Sequence, residues 1–327
     1  MNIEPLPTGR PPEISVTEPI EPAYERVKQM LFRPFDLGKW FTIGLGAWLA
    51  GLGEAGGGGF HGFGGNYNFN GHHSNDQVLQ DFRHGYYQVR DYVADNINWI
   101  LPLAVIAGLL LTVFWLLLLW LNSRGKFMFL HCVALNVAEV EVPWMKHAKA
   151  ANSLFRFRLV VGFLGLVVIL PLAVFMVVLI GQMMLGGEVT LARVLPVVGL
   201  GAGLALASLV FGLVHKALVD FVVPIMYLRG GGCLAAWSEF FGLLTGNFWR
   251  FVLYVLFQIV LGMVIGVMVL TAIVVTCCIA GCLMALPFVG TVVLLPVLIF
   301  KRAYPLYYLR QFGGKYDVFA GTKTNGE

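Results

Sequence analysis

The chain has 327 residues, 58% hydrophobic and only 12% charged, with a net charge of +4. Soluble proteins carry about 25% charged residues, so the surface of a soluble globular enzyme is missing, while apolar runs are long enough to cross a bilayer. The composition is that of an all-α, polytopic integral membrane protein, and without a basic stripe or binding motif it gives no support to a nucleic-acid partner.

Residues 1–22 hold six prolines, four glutamates and a single basic residue, Arg10. No basic start followed by an apolar core is present, so this is not a secretory signal but a disordered cytoplasmic tail. Residues 23–312 are read as one transmembrane domain and 313–327 as a second cytoplasmic tail. Apolar stretches at 38–53, 98–121, 157–184, 194–219, 251–276 and 288–309 predict about six transmembrane helices. The first is short and Gly-rich for a helix that needs about 20 residues to span.

The outer insert, 54–97, opens with ten glycines in residues 51–71 and carries His61, His72 and His73 beside Glu54 and Asp76. Imidazoles and carboxylates are zinc, nickel or copper ligands, which makes these histidines weak metal candidates. Their spacing lacks the tight frame of a structural site, so the segment is read as a solvated loop and no cofactor is expected. Val78, Phe82, Tyr86, Val89 and Val93 then predict an amphipathic helix over 76–96.

His131, Glu139, Glu141 and His147 are the one inner cluster of acids and histidines that a lipid-headgroup enzyme would need. His215, Lys216 and Asp220 gather at the inner end of the fourth span, where a Lys–Asp pair one turn apart is expected. Gly199, Gly203 and Ala207, like Gly262 and Gly266, put small residues at every fourth position, which lets helices approach closely in lipid. The five cysteines are odd in number, so no disulfide framework is expected. Cys277, Cys278 and Cys282 lie in the uncharged stretch 271–290, which is either a loop or re-entrant.

Cytoplasmic loops retain Lys and Arg. Nineteen of the 22 fall in alternate segments: 1–39, 122–158, 216–250 and 301–327. Arg83, Arg90 and Arg193 are the other three. Both termini are therefore expected inside the plasma (inner) membrane, with three hairpins crossing outward.

A local pattern recurs ahead of the first, third and fifth spans: Phe32-Arg33-Pro34-Phe35, Phe155-Arg156-Phe157 and Trp249-Arg250-Phe251. Before each lies a segment with helical apolar spacing: Tyr24, Val27 and Leu31; Trp144, Ala148, Ala151 and Phe155; Leu234, Trp237, Phe241 and Leu244. Three units are expected, each an interfacial amphipathic helix followed by a hairpin. Arg33, Arg156 and Arg250, with Arg229 and Arg310 at the exits of the fourth and sixth spans, are the predicted contacts to lipid headgroups.

These motifs, with Ser123-Arg124-Gly125-Lys126-Phe127, Asn152-Ser153-Leu154-Phe155, Asp220 to Tyr227 and Ala303-Tyr304-Pro305-Leu306, resemble an uncharacterised family of six-span bacterial and archaeal membrane proteins. That family is similar to the membrane domain of some glycerophosphodiester phosphodiesterases, whose catalytic barrel is absent, so the resemblance implies no active residue. The expected function is non-catalytic: organising lipid, anionic lipid in particular, or a partner protein or further copies of the chain at the inner face. The alternative is a channel or uncoupled carrier for a small or lipophilic solute.

Overall fold

The computed structural model describes residues 14–52, 87–185 apart from 89, 191–276, the single positions 281 and 284, and 286–320. Among them the regular elements are all helical. Four helices, Ile97–Leu135, Ala148–Met183, Val194–Arg229 and Phe248–Val275, are long and apolar enough to cross a membrane.

The chain forms two compact units, one of Met1–Phe63, Leu119–Phe157 and Lys216–Glu327, the other of Gly64–Leu118 and Arg158–His215. The second consists largely of bare apolar helix. Leu109, Leu110, Leu111 and Val113 are each more than 60% exposed. Consecutive residues point around the whole circumference of a helix, so this segment has no core-facing stripe and is built for lipid. Within this unit an added methyl at Gly165 would rest 3.6 Å from Phe211.

In the first unit, α1 (Ile20–Leu31) and α2 (Leu37–Gly51) flank the Pro34 turn. Asp36 caps α2 by accepting the Gly38 N–H at 2.8 Å, satisfying one of the first turn's orphan donors. The long α3 (Ile97–Leu135) enters this unit with its C-terminal part, where Asn122, Ser123 and every residue from Gly125 to Ala134 are buried. It ends at Asn136, whose φ of 60° is the left-handed turn that asparagine tolerates.

Helix α4 (Glu141–Lys146) leads into α5 (Ala148–Leu185), and α6 (Leu191–Ala217) runs into a π-helical turn over Leu218–Val222, then α7 (Val223–Arg229). Pro224 cannot donate to the carbonyl of Asp220, and its ring crowds that turn, so the helix widens there. Gly230, at φ 64°, closes α7. Helices α8 (Cys233–Gly246) and α9 (Phe248–Val275) meet at Asn247, and α10 (Pro287–Val293) and α11 (Leu295–Arg310) meet at Leu294.

Three expectations need correction. The sixth apolar stretch is two helices rather than one, because Pro296 lacks the N–H that would continue α10 and clashes with its last turn. The segment ahead of the third span is not a separate interfacial helix, since α5 runs unbroken from Ala148 through Arg156 into the apolar run. The apolar face of α1 does not lie free for lipid: Ala23, Val27, Met30 and Leu31 are buried and α1 packs on α11, while Tyr24 is exposed. The amphipathic helix expected over 76–96 lies mostly outside the described residues.

Cross-links join the helix ends. Lys39 at the start of α2 donates to Asn136 Oδ1 beyond α3 at 3.0 Å. The Cys233 N–H at the start of α8 donates to Ser153 Oγ in α5 at 3.0 Å. The Tyr308 hydroxyl in α11 donates to the Arg250 carbonyl in α9 at 2.9 Å. The first unit's core is aromatic around Phe221, which lies 5.3 Å from Phe240 and 5.0 Å from Tyr254, with Tyr308 4.6 Å from Tyr254.

Candidate functional site

The five arginines singled out as headgroup contacts fall into two classes. Arg33, Arg156 and Arg250 are exposed and have no carboxylate partner among the described residues. The Arg250 guanidinium donates to Asn247 Oδ1, at 3.2 Å. Arg229 and Arg310 are exposed too, but each is paired. Arg229 reaches both oxygens of Glu239, at 2.9 and 3.3 Å, and Arg310 lies 3.1 Å from Asp317. The hydrogen bond from Arg229 holds the Glu239 carboxyl below the usual carboxylate range.

The aromatic neighbours differ at each entrance. Phe32 and Phe35 are exposed and both meet the Trp40 ring edge-on, at 5.8 and 5.9 Å. Phe155 and Phe157 are half-buried, with Phe157 5.7 Å from Trp237. Phe248 and Trp249 are exposed, Trp249 at 79%, whereas Phe251 is buried and stacked on Phe312. Helix α8 presents apolar residues on two sides, burying Cys233, Ala236, Trp237 and Phe240 while exposing Leu234 and Phe241. Guanidinium beside exposed aromatic rings is the chemistry that seats a phosphate with its glycerol and acyl boundary.

Two buried arginines went unnoticed in the sequence. Arg26 donates to the carbonyls of Val133 and Ala134, the orphan acceptors of the last turn of α3, and lies over the Phe319 ring. Arg302 donates to the Val219 carbonyl at 2.7 Å, within the π-helical turn. A signal existed for Arg26: it sits in the same stripe as Ala23, Val27 and Met30, a charge where the period demands an apolar residue.

The Lys216–Asp220 pair forms as expected, at 2.6 Å, but Asp220 is buried rather than solvated. The same carboxylate oxygen accepts from Tyr254 at 2.9 Å, and Gln258 donates to Tyr254 at 3.1 Å. Of the inner cluster, His131 and His147 come together with ring centroids 5.9 Å apart, while Glu139 and Glu141 are exposed. His61, His72, His73, Cys277, Cys278 and Cys282 lie outside the described residues. Among those described, no three His, Cys, Asp or Glu side chains are grouped to hold a metal ion.

No curated protein and no solved structure matches the chain, so the likeness to the membrane domain of glycerophosphodiester phosphodiesterases is not shown. A family of unknown function, DUF7544, matches residues 14–295, and the chain belongs to that family.

Proposed function

We propose that this protein is a non-catalytic, multi-pass protein of the plasma membrane that gathers anionic lipid at the inner face through Arg33, Arg156 and Arg250. The observation that carries this reading is the contrast between entrance and exit arginines. Arg229 and Arg310 are neutralised by Glu239 and Asp317, whereas the three entrance arginines are exposed, lack carboxylates and adjoin aromatic rings. The three ties Lys39–Asn136, Ser153–Cys233 and Arg250–Tyr308 support the arrangement as three hairpins, since each links the start of a unit to residues at or just beyond its exit. The lipid so gathered is the surface on which a protein partner or further copies of the chain would assemble.

A basic side chain near an anionic surface is worth about 1 kcal/mol, so removing three is expected to cost up to about 3 kcal/mol. That is on the order of a hundredfold in lipid affinity. Native mass spectrometry of the chain in nanodiscs containing phosphatidylglycerol should show this loss of retained anionic lipid in the R33Q/R156Q/R250Q variant. Equal retention by variant and wild type would overturn the reading.

The chain Gln258–Tyr254–Asp220–Lys216, buried at Tyr254 and Asp220, favours a second reading, a channel or uncoupled carrier for a small or lipophilic solute, because ionisable groups at membrane depth mark solute paths. It requires that Asp220→Asn alter flux into liposomes; unchanged flux removes its support.

A further inference from the structure

His147 is the one residue between α4 and α5. Its N–H donates to Pro143 at 3.2 Å and its carbonyl accepts from Ala151 at 2.9 Å, so it closes one helix and opens the next. The residue is 8% exposed, and its ring lies against Phe127 of α3 at 6.0 Å and Tyr227 of α7 at 4.7 Å, stacked on both. The Tyr227 hydroxyl is 2.9 Å from His131 Nδ1. One imidazole thus joins α3, the α4–α5 joint and α7.

The surroundings are arranged for a neutral ring. Among the described residues His147 Nε2 is buried without a hydrogen-bond partner, so no side chain or carbonyl there accepts a proton placed on it. Facing the histidine pair are Lys146 from α4, the exposed Glu139 from the preceding loop, and the Cys132 thiol and Tyr227 phenol from α3 and α7. Arg124 of α3 reaches the Trp144 carbonyl in α4 at 3.4 Å. Lys146 and the carboxylates of Glu139 and Glu141 are all in solvent, so no buried carboxylate among the described residues faces the pair.

We propose that this joint is an acid-opened latch, in which protonation of the His131–His147 pair breaks the stack of His147 on Tyr227 and frees α4 and the start of α5 from α7. Burial, with His131 and Lys146 adding to it, pushes the His147 pKa down to about 4 in the closed state, against 6.5 for the free side chain. The open form therefore binds the extra proton between those limits. The closed joint is fully favoured above pH 6.5 and loses about tenfold in its closed-to-open ratio per pH unit as pH falls toward 4. This inference does not depend on the lipid reading.

Hydrogen exchange of the full chain in nanodiscs, corrected for intrinsic rates, tests it between pH 7.5 and 4.5. Protection of amides 144–151 is expected to fall about tenfold per pH unit below pH 6, while amides of α1 hold theirs. A flat profile across the joint in the wild type overturns the proposal without any variant. His147→Phe keeps the stack and removes the proton, so its profile should be flat; a wild-type slope in that variant also overturns the latch. His131→Gln keeps a partner for Tyr227 and removes the neighbouring charge that helps hold His147 neutral, so protection should level off within this pH range rather than fall throughout it, and an unchanged profile excludes His131 from the device.

Discussion

Arg26 places a guanidinium in the middle of an apolar stripe, and its two hydrogen bonds explain why the position is tolerated. The last carbonyls of α3 have no partner in their own helix, and the negative end of the helix dipole points at the same place. Arg26→Met would leave two acceptors without donors in a buried site, and hydrogen bonds to charged groups contribute about 1.5–3 kcal/mol. A loss of about 2–4 kcal/mol is therefore expected in thermal unfolding of the purified protein, with Arg26→Lys falling between. Tyr254→Phe should cost about 1–2 kcal/mol by the same measurement, because it removes one of two donors to a buried carboxylate and strands Gln258. The Lys216–Asp220 pair was legible in the sequence because a four-residue spacing is a local fact. Tyr254 and Arg302 as its neighbours were not, since the folding of distant segments onto the π-helical turn leaves no trace in spacing.

At the scale of elements, closeness between helices is set by glycine at one crossing above all. A methyl added at Gly125 of α3 would lie 2.5 Å from the backbone of Leu49 and Ala50 in α2, and neither atom can turn aside. Gly125→Ala must push the two helices apart, at a cost of about 1–3 kcal/mol. It would also strain Asn122, which donates to the Ala50 and Leu52 carbonyls at 2.6 and 2.8 Å. Gly262 in α9 has nothing within 4 Å of the same added methyl, so Gly262→Ala should leave stability unchanged or raise it by up to about 1 kcal/mol through helix propensity. Thermal scans of both variants in one detergent check the contrast, and equal effects would contradict the crossing.

The long helices were legible because length and apolarity suffice to find them. The breaks were not. Hydrophobic periodicity is silent when every face is apolar, so the division of α10 from α11 at Pro296, the π-helical turn ahead of Pro224 and the continuity of α5 through Arg156 had to come from backbone geometry. The reverse holds for α1, whose period was clear and whose partner, α11, was not.

For the whole molecule, the decisive contacts are those that bring the two ends of the chain together. The Ser15 N–H donates to Gln311 Oε1 at 2.7 Å, Gln311 Nε2 donates back to the Ser15 carbonyl at 2.9 Å, and the Tyr304 hydroxyl donates to the Val16 carbonyl at 2.6 Å. A segment held in this way lies on the same side of the membrane as the end of α11, whatever the number of crossings between them. The proposed direction rests on the distribution of Lys and Arg, with 19 of 22 in the segments expected on the cytoplasmic side. Glu18 and Lys315 are exposed near the two ends, and Cys132 and Cys233 are buried. In a background with Cys277, Cys278 and Cys282 replaced by alanine, Glu18→Cys and Lys315→Cys should both resist an impermeant maleimide in sealed right-side-out vesicles. Both should label in inverted ones. Labelling of one end without the other would contradict the clasp of Ser15 on Gln311. Labelling of both from outside would preserve the clasp and reverse the orientation, which would remove the entrance arginines from the inner leaflet that the proposed lipid-gathering role requires.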